Sequence, residues 1–127
     1  MKTIIKPSKL PHWEKLETLP DEIYKLETAI IEKNNHLANT EEAINIEQAC
    51  IEAQIAGDPT LTNDQKRKAK RTELQAGSLH LAELWAEKNL TTTALKMAEA
   101  KLSLLKNELS IAKLKARLEI AQLSAEF

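Results

Sequence analysis

The chain has 127 residues and no valine. Only 3% of it is aromatic: two Trp, one Tyr and one Phe. β-Sheets draw on Val and aromatic side chains, so this palette argues against a sheet as the main architecture. A single cysteine, Cys50, rules out an intrachain disulfide and a cysteine-based zinc site. It falls at a small, half-apolar helical position, where a buried reduced thiol is expected. Two glycines cannot make a Gly-rich phosphate loop. No apolar run approaches the ~18 residues that span a bilayer. The apolar patch at residues 3–5 is too short for a secretory segment, so a cytoplasmic protein with no membrane association is expected. Net charge is −1, which gives no global pull toward polyanions.

What is present is Leu, Ile and Ala within a hydrophobic fraction of 43%. Small and branched side chains of this kind interdigitate between helices. Leu16, Ile23, Ile30, Leu37, Ile44 and Ile51 recur every seven residues, an unbroken heptad position. The position three residues on starts apolar at Leu19 and Leu26 and then turns polar, so the contact face drifts. The expected fold is all-α: a long antiparallel helical hairpin, coiled-coil-like, or a three-helix bundle if the second helical stretch breaks.

Prolines and glycines mark the boundaries of one helical domain. Residues 1–18 hold two of the four prolines and read as an extended or loosely packed arm, docked by Trp13, Leu16 and Leu19. The first helix is expected over 19–56, starting near Pro20 with Asp21 and Glu22 on the positive end of its dipole. A turn over 57–62 follows. In it Gly57 suits the residue after a helix, and Pro59 bars continuation. Thr62 with Gln65 matches a capping box. Helix is expected over 63–125, with a kink or break at Gly77 or at 89–93, where three threonines follow one another. Charge is uneven: residues 21–59 carry nine acids and two lysines, while residues 60–75 carry five bases and two acids. That asymmetry favours antiparallel packing of the first half on the second.

Catalytic and metal chemistry are not indicated. His12, His36 and His80 stand alone, without a second histidine at helical spacing. The carboxylates of the first helix lack the Glu-x-x-His pattern of di-metal bundles. No nucleophile motif occurs. An enzyme is therefore not expected, and no cofactor is implied. One run stands out: Lys66, Arg67, Lys68, Lys70 and Arg71 crowd the start of a helix, where the dipole disfavours cations. They are candidate phosphate- or partner-binding residues. Pairing with acids of the first helix, such as Glu47 and Glu52, is the structural alternative, and a solvated tip is the other. No aromatic residue interleaves them, which argues against stacking on single strands.

The run Leu61-Thr62-Asn63-Asp64-Gln65-Lys66-Arg67-Lys68-Ala69, followed by a leucine-rich helix, resembles small helical proteins of bacteriophages and mobile elements. Those proteins carry an Asn-Asp-x-x-Arg-Lys-Ala-like hairpin tip. The resemblance covers about residues 60–120 and implies a phage or mobile-element origin. The tyrosine expected downstream of the tip is missing, and the resemblance transfers no activity.

The C-terminal helix carries two apolar stripes. At ~100° per residue, Leu95, Ala98, Leu102, Leu105, Leu109, Ala112, Ala116, Ile120 and Leu123 share one side, while Leu90, Met97, Leu104, Ile111, Leu114, Leu118 and Ala121 share the opposite side. A helix apolar on two sides must bury both. A first helix that starts near residue 20 would reach back only to about residue 98, leaving an uncovered overhang. The expectation is a non-enzymatic interaction protein that self-associates, most simply as a dimer through Leu90, Met97, Leu104, Ile111 and Leu118, and binds or inhibits a protein partner. The alternative is a nucleic-acid-binding accessory that uses the basic tip.

Overall fold

A computed structural model describes residues 11–125. The fold is all-α, made of α1 (Pro11–Ala56), α2 (Asp64–Gly77) and α3 (Leu79–Ala125). No strand occurs among the described residues. The chain divides into two compact units: Met1–Ile31 with Lys96–Phe127, and Glu32–Leu95.

In the first unit α1 and α3 run antiparallel, with Leu19, Ile23 and Leu105 at the core and Leu26, Leu102 and Leu109 packed around them. Glu27 meets Lys106 at 3.7 Å and His12 meets Glu119 at 2.5 Å across the same pair of helices. In the second unit the core is Ile44, Ile51, Ile55, Leu81 and Leu84, with Ala43, Leu61 and Leu74 against it. There Glu41 meets Lys88 and His36 meets Glu87, again antiparallel. Every residue of the heptad series from Leu16 to Ile51 is buried or half-buried. Thr40, in the polar run of the neighbouring series, is buried as well. Its hydroxyl donates to the His36 carbonyl at 3.0 Å, which satisfies it within its own helix.

α1 starts nine residues before the expected Pro20, so residues 11–18 are helix rather than an extended arm. Residues 1–10 of that arm lie outside the described residues. Pro20 is inside the helix and deprives the Leu16 carbonyl of its partner, a cost of ~3 kcal/mol in a typical interior. Two features offset it. Pro20 is exposed, so water can reach the orphaned carbonyl, and its neighbours Leu19 and Ile23 are buried.

The turn departs from expectation in its chemistry. Gly57 has no positive φ. The chain reverses instead around Asp58, whose Oδ1 accepts from the Thr60 backbone N–H at 2.9 Å and hydroxyl at 2.6 Å. The Leu61 N–H then donates to the Asp58 carbonyl at 3.3 Å. The cap of α2 is Asn63, not Thr62: its Oδ1 accepts from the Lys66 N–H at 2.8 Å. Asn is the stronger N-cap residue, and one residue of displacement abolishes the expected Thr62–Gln65 box.

The second helical stretch breaks at 77–78 and runs unbroken through 89–93. Gly77 weakens the helix, but Ser78 ends it. The Ser78 N–H donates to the Gln75 carbonyl at 3.4 Å, while its Oγ accepts from the Leu81 N–H at 3.1 Å, which caps α3. The same hydroxyl donates to Glu47 at 3.3 Å. At the threonines, Thr91 and Thr92 are half-buried, and the Thr92 hydroxyl bonds back to the Lys88 carbonyl at 2.8 Å. Tertiary cover outweighs their poor helix propensity.

Candidate functional site

The two stripes of α3 meet different fates. In the first unit Leu102, Leu105, Leu109, Ala112 and Ala116 are buried or half-buried, with Ala112 only 1% exposed. The expected overhang beyond residue 98 is therefore covered on this side as far as Ala116. Leu19, Ile23 and Leu26 cover it around Leu102, Leu105 and Leu109, and the early turns of α1, with the half-buried His12, Trp13 and Leu16, extend the cover toward Glu119. On the opposite side Met97 is 69% exposed, Leu104 56%, Ile111 53%, Leu114 56% and Leu118 57%. In the second unit Leu90 is 74% exposed. Exposed apolar residues at seven-residue spacing form a continuous ridge on a helix, not the scattered singles that soluble surfaces normally carry. Ile120 and Leu123, expected on the other stripe, are also 52% and 51% exposed.

The N-terminal turns of α1 are held by one carboxylate. Glu119 accepts from the Trp13 indole N–H at 3.0 Å and contacts the His12 ring at 2.5 Å. The indole bond, and then the imidazole, hold its carboxyl below the ordinary carboxylate value. Nothing in the local sequence marks this acceptor, because the three residues meet only through tertiary packing.

The five bases of α2 are placed on a helix that buries no residue. Lys66, Arg67 and Lys68 are exposed, and Lys70 and Arg71 are half-buried. Arg71 reaches across to Glu52 and donates through both Nε and Nη2, the latter at 3.0 Å from Oε2. That bond depresses the Glu52 carboxyl and raises the Arg71 guanidinium. Arg67 pairs with Asp64 at 2.9 Å and Lys70 with Glu73 at 3.6 Å, each within α2. Lys66 donates to the Thr62 hydroxyl at 3.5 Å. Only Lys68 has no ion pair or side-chain hydrogen bond among the described residues. Pairing with the first helix thus holds for Arg71 and Glu52, whereas Glu47 takes the Ser78 hydroxyl instead.

Cys50 is exposed, contrary to the expected buried thiol, because it lies off the heptad face that Ile44, Ile51 and Ile55 present to the core. Among the described residues no group of three His, Cys, Asp or Glu side chains could hold a metal ion. No described helix is long and apolar enough to cross a membrane. An open groove of about 450 Å³ in the first unit is lined by Glu22, Lys25, Leu26, Ala29, Lys101 and Leu105. The chain matches no family model, no curated protein and no solved structure.

Proposed function

We propose that the chain is a non-enzymatic helical interaction protein that self-associates and docks a protein partner through the exposed face of α3. The observation that carries this is the ridge Met97, Leu104, Ile111, Leu114 and Leu118, each more than half exposed on a helix whose other side is in the core. Exposing five large apolar side chains in a row costs solubility, and burying each further is worth on the order of 1 kcal/mol. A surface of this kind is maintained for a partner. The resemblance of residues 61–69 to phage and mobile-element proteins adds an origin to this proposal but no activity.

Nucleic-acid binding by α2 is the weaker reading. Arg67, Lys70 and Arg71 already face acids of the same chain, which leaves few cations to displace counterions. The test of the main reading is sedimentation or light scattering at ~100 μM, well above the micromolar constant of a modest interface. The protein should run larger than a monomer, and Leu104→Lys with Ile111→Lys should run as a monomer with unchanged helicity. A monodisperse monomeric wild type overturns the reading.

A further inference from the structure

We propose that the stretch of α3 from Leu104 to Ala121 pairs with the same stretch of a second copy, antiparallel about a two-fold axis, with Glu108 of each copy against Lys115 of the other. This rests on the interaction reading above and adds the occupant of the face, its direction and its register.

The seam is self-complementary. Leu104, Ile111 and Leu118 repeat every seven residues, and Asn107, Leu114 and Ala121 lie three residues after each. Those two series are the seam positions of a coiled coil. With the axis between Ile111 and Leu114, the layers are Ile111 on Leu114, Leu104 on Ala121 and Leu118 on Asn107, each formed twice. The two central layers are then wholly apolar, Asn107 meets Leu118 in the layer outside each, and Leu104 on Ala121 closes each end.

Charge selects this register and direction. Along the flank next to the seam the order is Lys101, Glu108, Lys115, Gln122. An antiparallel copy reverses that order, so Glu108 faces Lys115 on both sides of the axis and Lys101 faces Gln122. Sliding the axis half a heptad toward the N-terminus sets Glu108 against Glu108 and Lys101 against Lys115. Sliding it a full heptad restores opposite charges but puts Asn107 against Leu104 in both central layers. A parallel pair instead brings Lys96 beside Lys101. Like charges at such positions disfavour an arrangement.

Glu108 and Lys115 are available for this role. Among the described residues neither takes part in an ion pair within its own chain. Both line one shallow hollow beside Ile111. Lys106, on the other flank, is taken by Glu27. One helix face per copy makes a small interface, at the low end of the specific range. A weak, micromolar dimer fits that area.

The experiment combines charge reversal and cross-linking, both in a Cys50→Ser background and with helicity checked by circular dichroism. Glu108→Lys alone and Lys115→Glu alone should each weaken self-association ~10-fold. An equimolar mixture of the two, and the double variant, should restore it. Leu104→Cys mixed with Ala121→Cys should form a mixed disulfide on mild oxidation, and Leu104→Cys alone should not. A monomeric wild type removes the interaction reading and this pairing with it. A wild type that associates but ignores both reversals, or a Leu104→Cys variant that cross-links to itself, overturns the antiparallel pairing and leaves self-association standing.

Discussion

The indole N–H of Trp13 donates to Oε2 of Glu119 at 3.0 Å, joining residues 106 positions apart. This bond, with His12 on the same oxygen, fastens the first turns of α1 to α3. Those turns precede Pro20, so they lack the continuous backbone ladder that supports the rest of the helix.

Glu119 should make these turns sensitive to acid. Its carboxyl is held below the ordinary value of 4.5, first by the Trp13 bond and then by His12. A depressed carboxylate adds stability at neutral pH, and that contribution is lost as pH falls through the depressed value. As pH falls through that depressed value, Trp13 should become more exposed. In a Trp85→Phe variant its fluorescence should shift to the red as pH is lowered from 6 to 3. In Glu119→Ala the shift should already be present at neutral pH and change little with acid.

Neither glycine is required by its backbone, so each should tolerate alanine. No positive φ occurs at either position. A Cβ on Gly57 meets the Ala53 carbonyl at 3.4 Å and the Gln54 carbonyl at 3.9 Å, ordinary contacts, and one on Gly77 meets nothing within 4 Å. Replacing such glycines narrows the unfolded ensemble. Gly77→Ala should raise stability by about 0.4–1 kcal/mol in urea unfolding. Ser78→Ala should lower it by ~1 kcal/mol, because the Leu81 N–H loses its cap.

The two sides of α3 should respond oppositely to size. Ala112 is 1% exposed, and Ala112→Leu should destabilise by about 1–3 kcal/mol through overpacking. Ile51→Ala in the second unit should cost about 2–5 kcal/mol by leaving a cavity. Leu104→Ala, at a position 56% exposed, should change the unfolding of the isolated chain by under ~0.5 kcal/mol. Denaturant titrations at a concentration low enough to dissociate any oligomer separate these effects.

The cations of α2 should matter more to its docking than to polyanions. Arg71→Gln removes the one ion pair of the group that, among the described residues, leaves α2, and it should lower the melting temperature slightly. Replacing Lys66, Arg67, Lys68, Lys70 and Arg71 together by Gln should lower it further. Retention of the wild type on duplex DNA that weakens steeply between two salt concentrations would favour the nucleic-acid alternative instead.

Local pattern determined much of this protein. The heptad from Leu16 to Ile51 specified a buried helical face, because burial follows side-chain period whatever the partner. Pro59 marked a reversal, and the wheel of α3 separated the stripe at Leu105 and Ala112 from the one at Leu104 and Ile111. Tertiary structure decided what local propensity could not. Pro20 looked like a start and became an interior residue, since the burial of Leu19 and Ile23 outweighs one lost backbone bond. The threonines at 91–93 looked like a break and stayed helical under cover. Gly77 looked like the weak point, yet the hydroxyl of Ser78 made the cap. Which stripe of α3 is buried was decided by packing on Leu19, Ile23 and Leu26, and the early turns of α1 extend that cover through Trp13, His12 and Glu119. Those contacts join distant segments, so no window of sequence contains them.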